Sequence, residues 1–246
     1  VPTSGKRFAR KTTNQPIGAQ TVRHVFGLLQ RCFREAIVDG HVTQNPCAGY
    51  RLPANPEKQR LAEAANYLSE DEIELLLSSS LPLRARLIYE VAIFTGLRAG
   101  ELWGLRWEDL ELEGPRPRCV IRHSFDGPTK NNKTRSFFLL PRARAALLRW
   151  RDLTERSAAS DLVFSGPKGR MHTDGYDAGW SKHRDQLGLR RELTFHALRH
   201  TLASHLVMGT WGRQWQTNQV SQYIGHSSIG VTQRYAHLSQ DHLAEL

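Results

Sequence analysis

Cysteine is scarce in this sequence. Cys32, Cys47 and Cys119 are the 3 cysteines among 246 residues, an odd number with no CxxC spacing. A disulfide framework and a cysteine-built zinc site are thereby excluded, and the three are read as buried or indifferent thiols. Long apolar runs are missing too. None approaches the roughly 20 residues a membrane helix needs, and the basic amino terminus is not followed by the apolar stretch of a secretory signal. No membrane partner is expected, and a cytoplasmic location is the default. Repeats and low-complexity segments are absent. Lysine is sparse, supplying only 7 of the 34 basic residues, an arginine bias that fits a high-GC genome.

Positive charge is what the sequence has in excess. The net charge is +10, and it is unevenly spread. Residues 1–60 carry 10 basic and 3 acidic side chains, whereas residues 61–246 carry 24 and 21. Such a basic amino-terminal piece suits a phosphate backbone, although charge alone equally fits a solubilising surface. With 39% hydrophobic and 24% charged residues the composition is that of an ordinary soluble globular protein. Its length suits one large domain or two small ones.

Periodicity divides the chain. "VPTSGKRFARKTTNQPIGAQ" is polar and lacks helical spacing, so an extended lead-in is expected. From about 20 to 39, Val22, Val25, Phe26, Leu29, Cys32, Phe33, Ala36 and Ile37 recur three and four apart, predicting one amphipathic helix ended by Gly40. Prolines 46, 53 and 56 mark a linker. Ser69 and Glu72 predict a capping-box helix start, and a second helix runs from after Pro82 to Gly96. Between 107 and 141 the apolar runs "CVIRHSF" and "SFFLL" flank the polar turn "DGPTKNNKT", predicting a small antiparallel sheet with a hairpin. Helical patterns return at "PRARAALLRWRDL", 174–187, 194–208 and 217–224, with short pieces to Leu246. The expected fold class is mainly α with a small antiparallel β-sheet (α+β).

Four stretches carry chemistry. "TGLRAGELWGLRWEDL" puts Arg98 just after a helix end, with Glu101 opening the next helix. The hairpin turn holds Lys130 and Lys133. "TFHALRHTLASH" places His196 and Arg199 three apart on one helix face. "IGHSSIGVTQRYAHL" carries His226 and, nine residues later, Tyr235. His196 and His200 are also four apart, as in zinc-binding helices. However, Ala197 stands where an HExxH protease needs its glutamate, and Arg199 would put a cation beside a dication.

In this order and combination the sequence resembles the tyrosine recombinase (phage integrase) family over about residues 20–246, through "TGLRAGEL", "HALRHTLASHL" and "IGHSSIGVTQRYAH". The resemblance implies a site-specific DNA recombinase, acting through a 3′-phosphotyrosine without ATP, metal or other cofactor. It implies Arg98 and Arg199 as forks on the scissile phosphate, Tyr235 as nucleophile, His196 as general base, His226 as a phosphate hydrogen-bond donor and Lys130 as general acid. Lys130 is preferred over Lys133 because it follows "PT" in the hairpin, whereas counting back from Pro141 favours Lys133. His200 is left as a packing group beside the pocket, and His205, His237 and His242 as surface or helix-face residues.

The implied partners are double-stranded attachment or recombination sites, further copies of the chain in a DNA-bound tetramer, and an accessory directionality factor. The setting would be the nucleoid of a bacterial or phage-infected cell. A catalytically silent DNA-binding or accessory module of the same fold is the alternative.

Two departures from the family stand out. Residues 1–60 are read as a partial core-binding segment and linker, and 61–246 as the catalytic domain. Only the last long helix of a core-binding domain is recognisable and the chain opens with Val1, so a piece of a longer protein, with weakened DNA affinity, is expected. Its lone helix is expected to dock on a neighbour or a second chain. "GTWGRQWQTNQVSQYIGH" is longer than the usual connection, and Trp211 and Trp215 are expected to pack it down. The tail "AHLSQDHLAEL" is expected to pack on a neighbouring protomer.

Overall fold

The computed structural model describes residues 17–53, 66–125, 127–128, 134–172 and 176–225. The chain divides into two units, Val1–Glu63 and Ala64–Leu246.

In the first unit the predicted amphipathic helix is α1 (Ala19–Val38). Gly40 takes φ 74, and the His41 amide reaches back to the Ala36 carbonyl at 2.8 Å, closing the helix as its sequence position anticipates. The return segment is fastened by Asn45 donating to the Gln30 carbonyl at 3.3 Å and by Phe26 against Tyr50, ring centres 5.6 Å apart. No residue of α1 is buried. Val22, Val25, Leu28 and Leu29 all stay more than two-fifths exposed, so within its own unit α1 presents an apolar stripe.

The second unit starts at α2 (Glu70–Ser78), capped reciprocally. Ser69 Oγ accepts from the Glu72 amide at 3.2 Å, and the Glu72 carboxylate accepts from the Ser69 amide at 2.9 Å. Next comes α3 (Leu83–Thr95), with buried residues on every side, the pattern of a central core helix. It packs against α5 (Pro141–Leu153), which has proline in its first turn, and α7 (Ala197–Met208). Between them lie α4 (Ala99–Trp103) and, among the described residues, five short strands: β1 (Leu110–Glu111), β2 (Arg118–Ile121), β3 (His123–Ser124), β4 (Gly127–Pro128) and β5 (Arg135–Phe138).

Strands β1-β2-β5 form an antiparallel sheet, with Leu110 opposite Cys119, Cys119 opposite Phe137 and Ile121 opposite Arg135. The connection from β2 to β5 is more than the single polar turn expected, because β3 and β4 pair within it as a second small sheet. Lys130 and Lys133 lie outside the described residues. No helix among the described residues is long and apolar enough to cross a membrane.

The remaining α-helices among the described residues are α6 (Trp180–Gln186), α7 and α8 (Thr217–Ile224). The pattern read as a helix from 174 starts only at Trp180, because Ala178 (φ 54) and Gly179 (φ 80) adopt left-handed backbone. Similarly, α7 begins at Ala197 rather than 194. Thr194–Ala197 is a turn in which the Ala197 amide bonds the Thr194 carbonyl at 2.8 Å, leaving His196 at the N-cap.

A further correction concerns His205, expected on a surface or helix face. It is 2% exposed. Its Nε2–H donates to the Leu68 carbonyl at 2.8 Å, and its ring stacks on Trp211 with centres 4.6 Å apart. Trp211 also lies 4.7 Å from Phe94 and Trp215 packs edge-on to Tyr223 at 5.4 Å, so both tryptophans hold the long connection down as anticipated.

Gly96, the residue between α3 and Arg98, is where these helices meet. It caps α3 at φ 61, and a Cβ there would stand 2.7 Å from Leu202 Cδ2 of α7 and 3.1 Å from Ile224 Cγ2 of α8. Gly96→Ala combines left-handed strain with overpacking, so a loss of about 2 kcal/mol or more is expected in urea denaturation. A loss below about 0.5 kcal/mol, the range of neutral surface changes, would show that the close approach is not real.

Candidate active site

Arg98 is the N-cap residue of α4, two positions beyond Gly96. Its backbone N–H donates to Glu101 Oε2 at 2.9 Å and its Nη1 to Glu101 Oε1 at 2.8 Å. Its Nη2 donates to the Gly225 carbonyl, 127 residues away in sequence, at 2.8 Å. The Glu101 side chain is 6% exposed whereas that of Arg98 is 41% exposed. The carboxylate therefore lies beneath, and the guanidinium, fixed by two acceptors, opens to solvent.

Arg199 comes from the first turn of α7 and is 2% exposed. Its Nη1 donates to the Gly96 carbonyl. The two arginines are thus joined to the same short connection after α3, one growing from it and the other hydrogen-bonded to it. His196 precedes Arg199 by one helical turn, and its ring meets that of His200 edge-on with centres 4.8 Å apart. Burial lowers the proton affinity of His196 below the ordinary imidazole value; the Arg199 and Arg98 charges lower it further, and Glu101 opposes them. A neutral imidazole beside two guanidinium groups can accept a proton but resists holding it. No three potential His, Cys, Asp or Glu metal ligands converge among the described residues.

Arg98, His196 and Arg199, read from two separate motifs, are therefore brought together. His226 and Tyr235 lie outside the described residues, as do the hairpin lysines. Gly225, whose carbonyl Arg98 holds, is the residue immediately before His226. Sequence reasoning gave Glu101 only a place in a helix, and it passed over Arg135, whose Nη2 donates to Glu101 Oε2 at 2.8 Å. The signals were present. Glu101 stands at capping spacing from Arg98, and strand alternation puts Arg135 on the same face as buried Phe137.

Comparison with known proteins gives this arrangement its context. The family model described as "Phage integrase family" matches residues 66–242. The chain belongs to the phage integrase family, the tyrosine recombinases. It is 26% identical over 245 residues to tyrosine recombinase XerC of Xanthomonas axonopodis pv. citri, covering 98% of this chain and 75% of that protein. It is 31% identical over 208 residues to XerC of Herpetosiphon aurantiacus, covering 81% and 63%.

Among solved structures, the XerH site-specific recombinase in a post-cleavage complex with palindromic difH substrate matches with TM-score 0.57 and 26% identity. That match covers 73% of this chain but 51% of that one, so the chain spans about half the XerH chain. A Tn1549 transposon integrase in complex with circular intermediate DNA matches with TM-score 0.74 at 19% identity, covering 94% and 80%, a likeness of fold. The matched region contains Arg98, His196 and Arg199 and continues past Tyr235.

Within this tyrosine recombinase, the lowered proton affinity of His196 has two consequences. In an NMR titration its ring should titrate below the ordinary imidazole pKa of about 6.5, and a midpoint at or above that value would contradict the burial described. His205 is shifted the same way, by burial first. The unfolded chain then binds more protons than the folded one at mildly acid pH. The stability these two residues contribute is complete above about pH 6.5 and falls as the pH drops through their lowered folded pKa values. Urea midpoints compared between neutral and mildly acid pH check the sign.

Proposed function

We propose that this chain is a site-specific DNA recombinase that cuts and rejoins strands through a 3′-phosphotyrosine, using neither ATP nor metal. The observation that carries the reading is the convergence of Arg98 and Arg199 on the connection after α3, beside His196 with its lowered proton affinity, with Arg98 also holding the Gly225 carbonyl just before His226. The XerH and Tn1549 integrase complexes named above, and a lambda integrase dimer bound to a COC′ core site (TM-score 0.63, 20% identity), support DNA as the partner.

The chemistry follows from charge. A phosphodiester under attack accumulates negative charge on its non-bridging oxygens, and rigid guanidinium forks stabilise it. In this reading the Tyr235 oxygen forms the new bond to phosphorus as the bond to the 5′ oxygen breaks. A phenol of pKa about 10 is ionised to roughly one part in a thousand at neutral pH, so its proton passes to His196. The departing 5′ oxygen takes a proton from Lys130, and His226 donates to the same phosphate. Rejoining reverses these transfers: a free 5′ hydroxyl attacks the phosphotyrosine and Tyr235 is regenerated. One ester replaces another, so no outside energy source is required. The working assembly in this proposal is a tetramer on double-stranded attachment or recombination sites in the nucleoid, with an accessory factor setting direction.

A nicked suicide substrate tests the reading. The wild type should form a covalent protein–DNA adduct, whereas Tyr235→Phe should form none while keeping its DNA affinity within about three-fold. An adduct from Y235F would place the nucleophile elsewhere, and DNA binding by the wild type with no adduct would favour the silent module. Lys130→Ala should slow cleavage by about 10² to 10⁴-fold, the usual scale of general-acid catalysis, and a 5′-thio leaving group should restore it. The same pattern in Lys133→Ala instead would reassign the general acid.

A further inference from the structure

Arg135 is not among the residues to which the family resemblance gives a role, yet its environment is unusual. It opens β5 opposite Ile121, and its side chain is 19% exposed. Burying a guanidinium is costly unless its donors are matched. Here Nη2 is matched by Glu101 Oε2 at 2.8 Å, while Nε and Nη1 are shut off from solvent without an acceptor. Burial lowers its proton affinity, the Arg98 charge adds to this and Glu101 opposes it. A guanidinium kept only for solubility would turn outward.

Its two neighbours are the two groups that hold Arg98. Glu101 accepts from Arg135 and from both the backbone and the side chain of Arg98. Gly225, the other acceptor for Arg98, lies against the Arg135 guanidinium so closely that a Cβ at this glycine would stand 2.5 Å from Nε and 2.6 Å from Cδ. The Arg135 guanidinium carbon also lies 5.7 Å from the centre of the Phe137 ring. One carboxylate therefore serves two cations. Were Arg135 removed, Glu101 would pair with Arg98 alone and draw its charge away from a phosphate.

We propose that Arg135 is a positioning residue for Arg98: from the sheet side it shares the Glu101 carboxylate and buttresses Gly225, so that the Arg98 fork stays aimed at the scissile phosphate. The proposal rests on the recombinase reading of the site. It also ties the sheet strand that follows the hairpin lysines to Arg98 and to the chain entering His226.

The experiment is a double-mutant cycle on the full chain, reading single-turnover cleavage of the suicide substrate, DNA affinity and melting temperature. Arg135→Met should slow cleavage on the order of ten- to a hundred-fold, the cost of a small misplacement of a reacting group, and Arg135→Lys should recover most of it. R98A/R135M should be no slower than Arg98→Ala, because Arg135 acts through Arg98.

Wild-type cleavage in R135M, or independent losses in the double variant, would overturn the proposal. A readout free of catalysis separates its failure from that of the recombinase reading. The ¹⁵N side-chain resonance of Arg98 should shift and its Nε–H exchange faster in R135M and not in R135K. An unchanged Arg98 signal would sink the proposal even if the wild type cleaves. A changed signal with no wild-type adduct would sustain the positioning while refuting the chemistry.

Discussion

Two hydrogen bonds from arginine to main-chain carbonyls hold the candidate site together: Arg199 to Gly96 and Arg98 to Gly225. They join segments that are 103 and 127 residues apart, and each fixes a planar cation by its own edge. A flexible ammonium group could pair with the same carbonyls but would not carry a fixed orientation across to a ligand. The close approach of Gly96 to α7 and α8 is what brings the first carbonyl within reach. Helix packing and the placement of Arg199 therefore depend on one backbone position, and damage to the packing would spread to the proposed site.

The electrostatics of the cluster point toward an anion. Arg98 and Arg135 share the buried carboxylate of Glu101, and the proton affinity of His196 is lowered by burial and by the Arg199 and Arg98 charges beside it. The first turn of α7, where a helix favours negative charge, carries Arg199 instead. Local rules broken in one place and repeated across separate elements are the mark of a functional site. In the proposed reaction the extra charge a phosphate diester gains under attack is what these guanidinium forks would stabilise most.

Much of this was legible because it is local. The three-and-four spacing from Val22 to Ile37, the Ser69–Glu72 capping pair and the proline opening α5 each act within a few residues, and α1, α2 and α5 begin and end about where those signals put them. Arg98, His196 and Arg199 were found through motif order, since no single spacing connects them. Long-range partners and unusual backbone were what stayed hidden. His205 is buried by a carbonyl 137 residues away. The left-handed Ala178 has no sequence signal of the kind glycine gives, so α6 was begun too early. Arg135 was passed over because its carboxylate partner is 34 residues distant in the sequence.

The central claim is that Arg98 is aimed at the negative charge of a scissile phosphate. It is tested most directly by removing that charge from the DNA. A suicide substrate with a neutral methylphosphonate at the scissile position should be compared with the ordinary phosphodiester, using wild type and Arg98→Ala. On the phosphodiester, Arg98→Ala should lose about 10² to 10³-fold in cleavage rate, the usual effect of removing one such donor. On the methylphosphonate the loss should shrink to about ten-fold or less. An equal loss on both substrates would contradict the account, because Arg98 would then be serving something other than the phosphate charge.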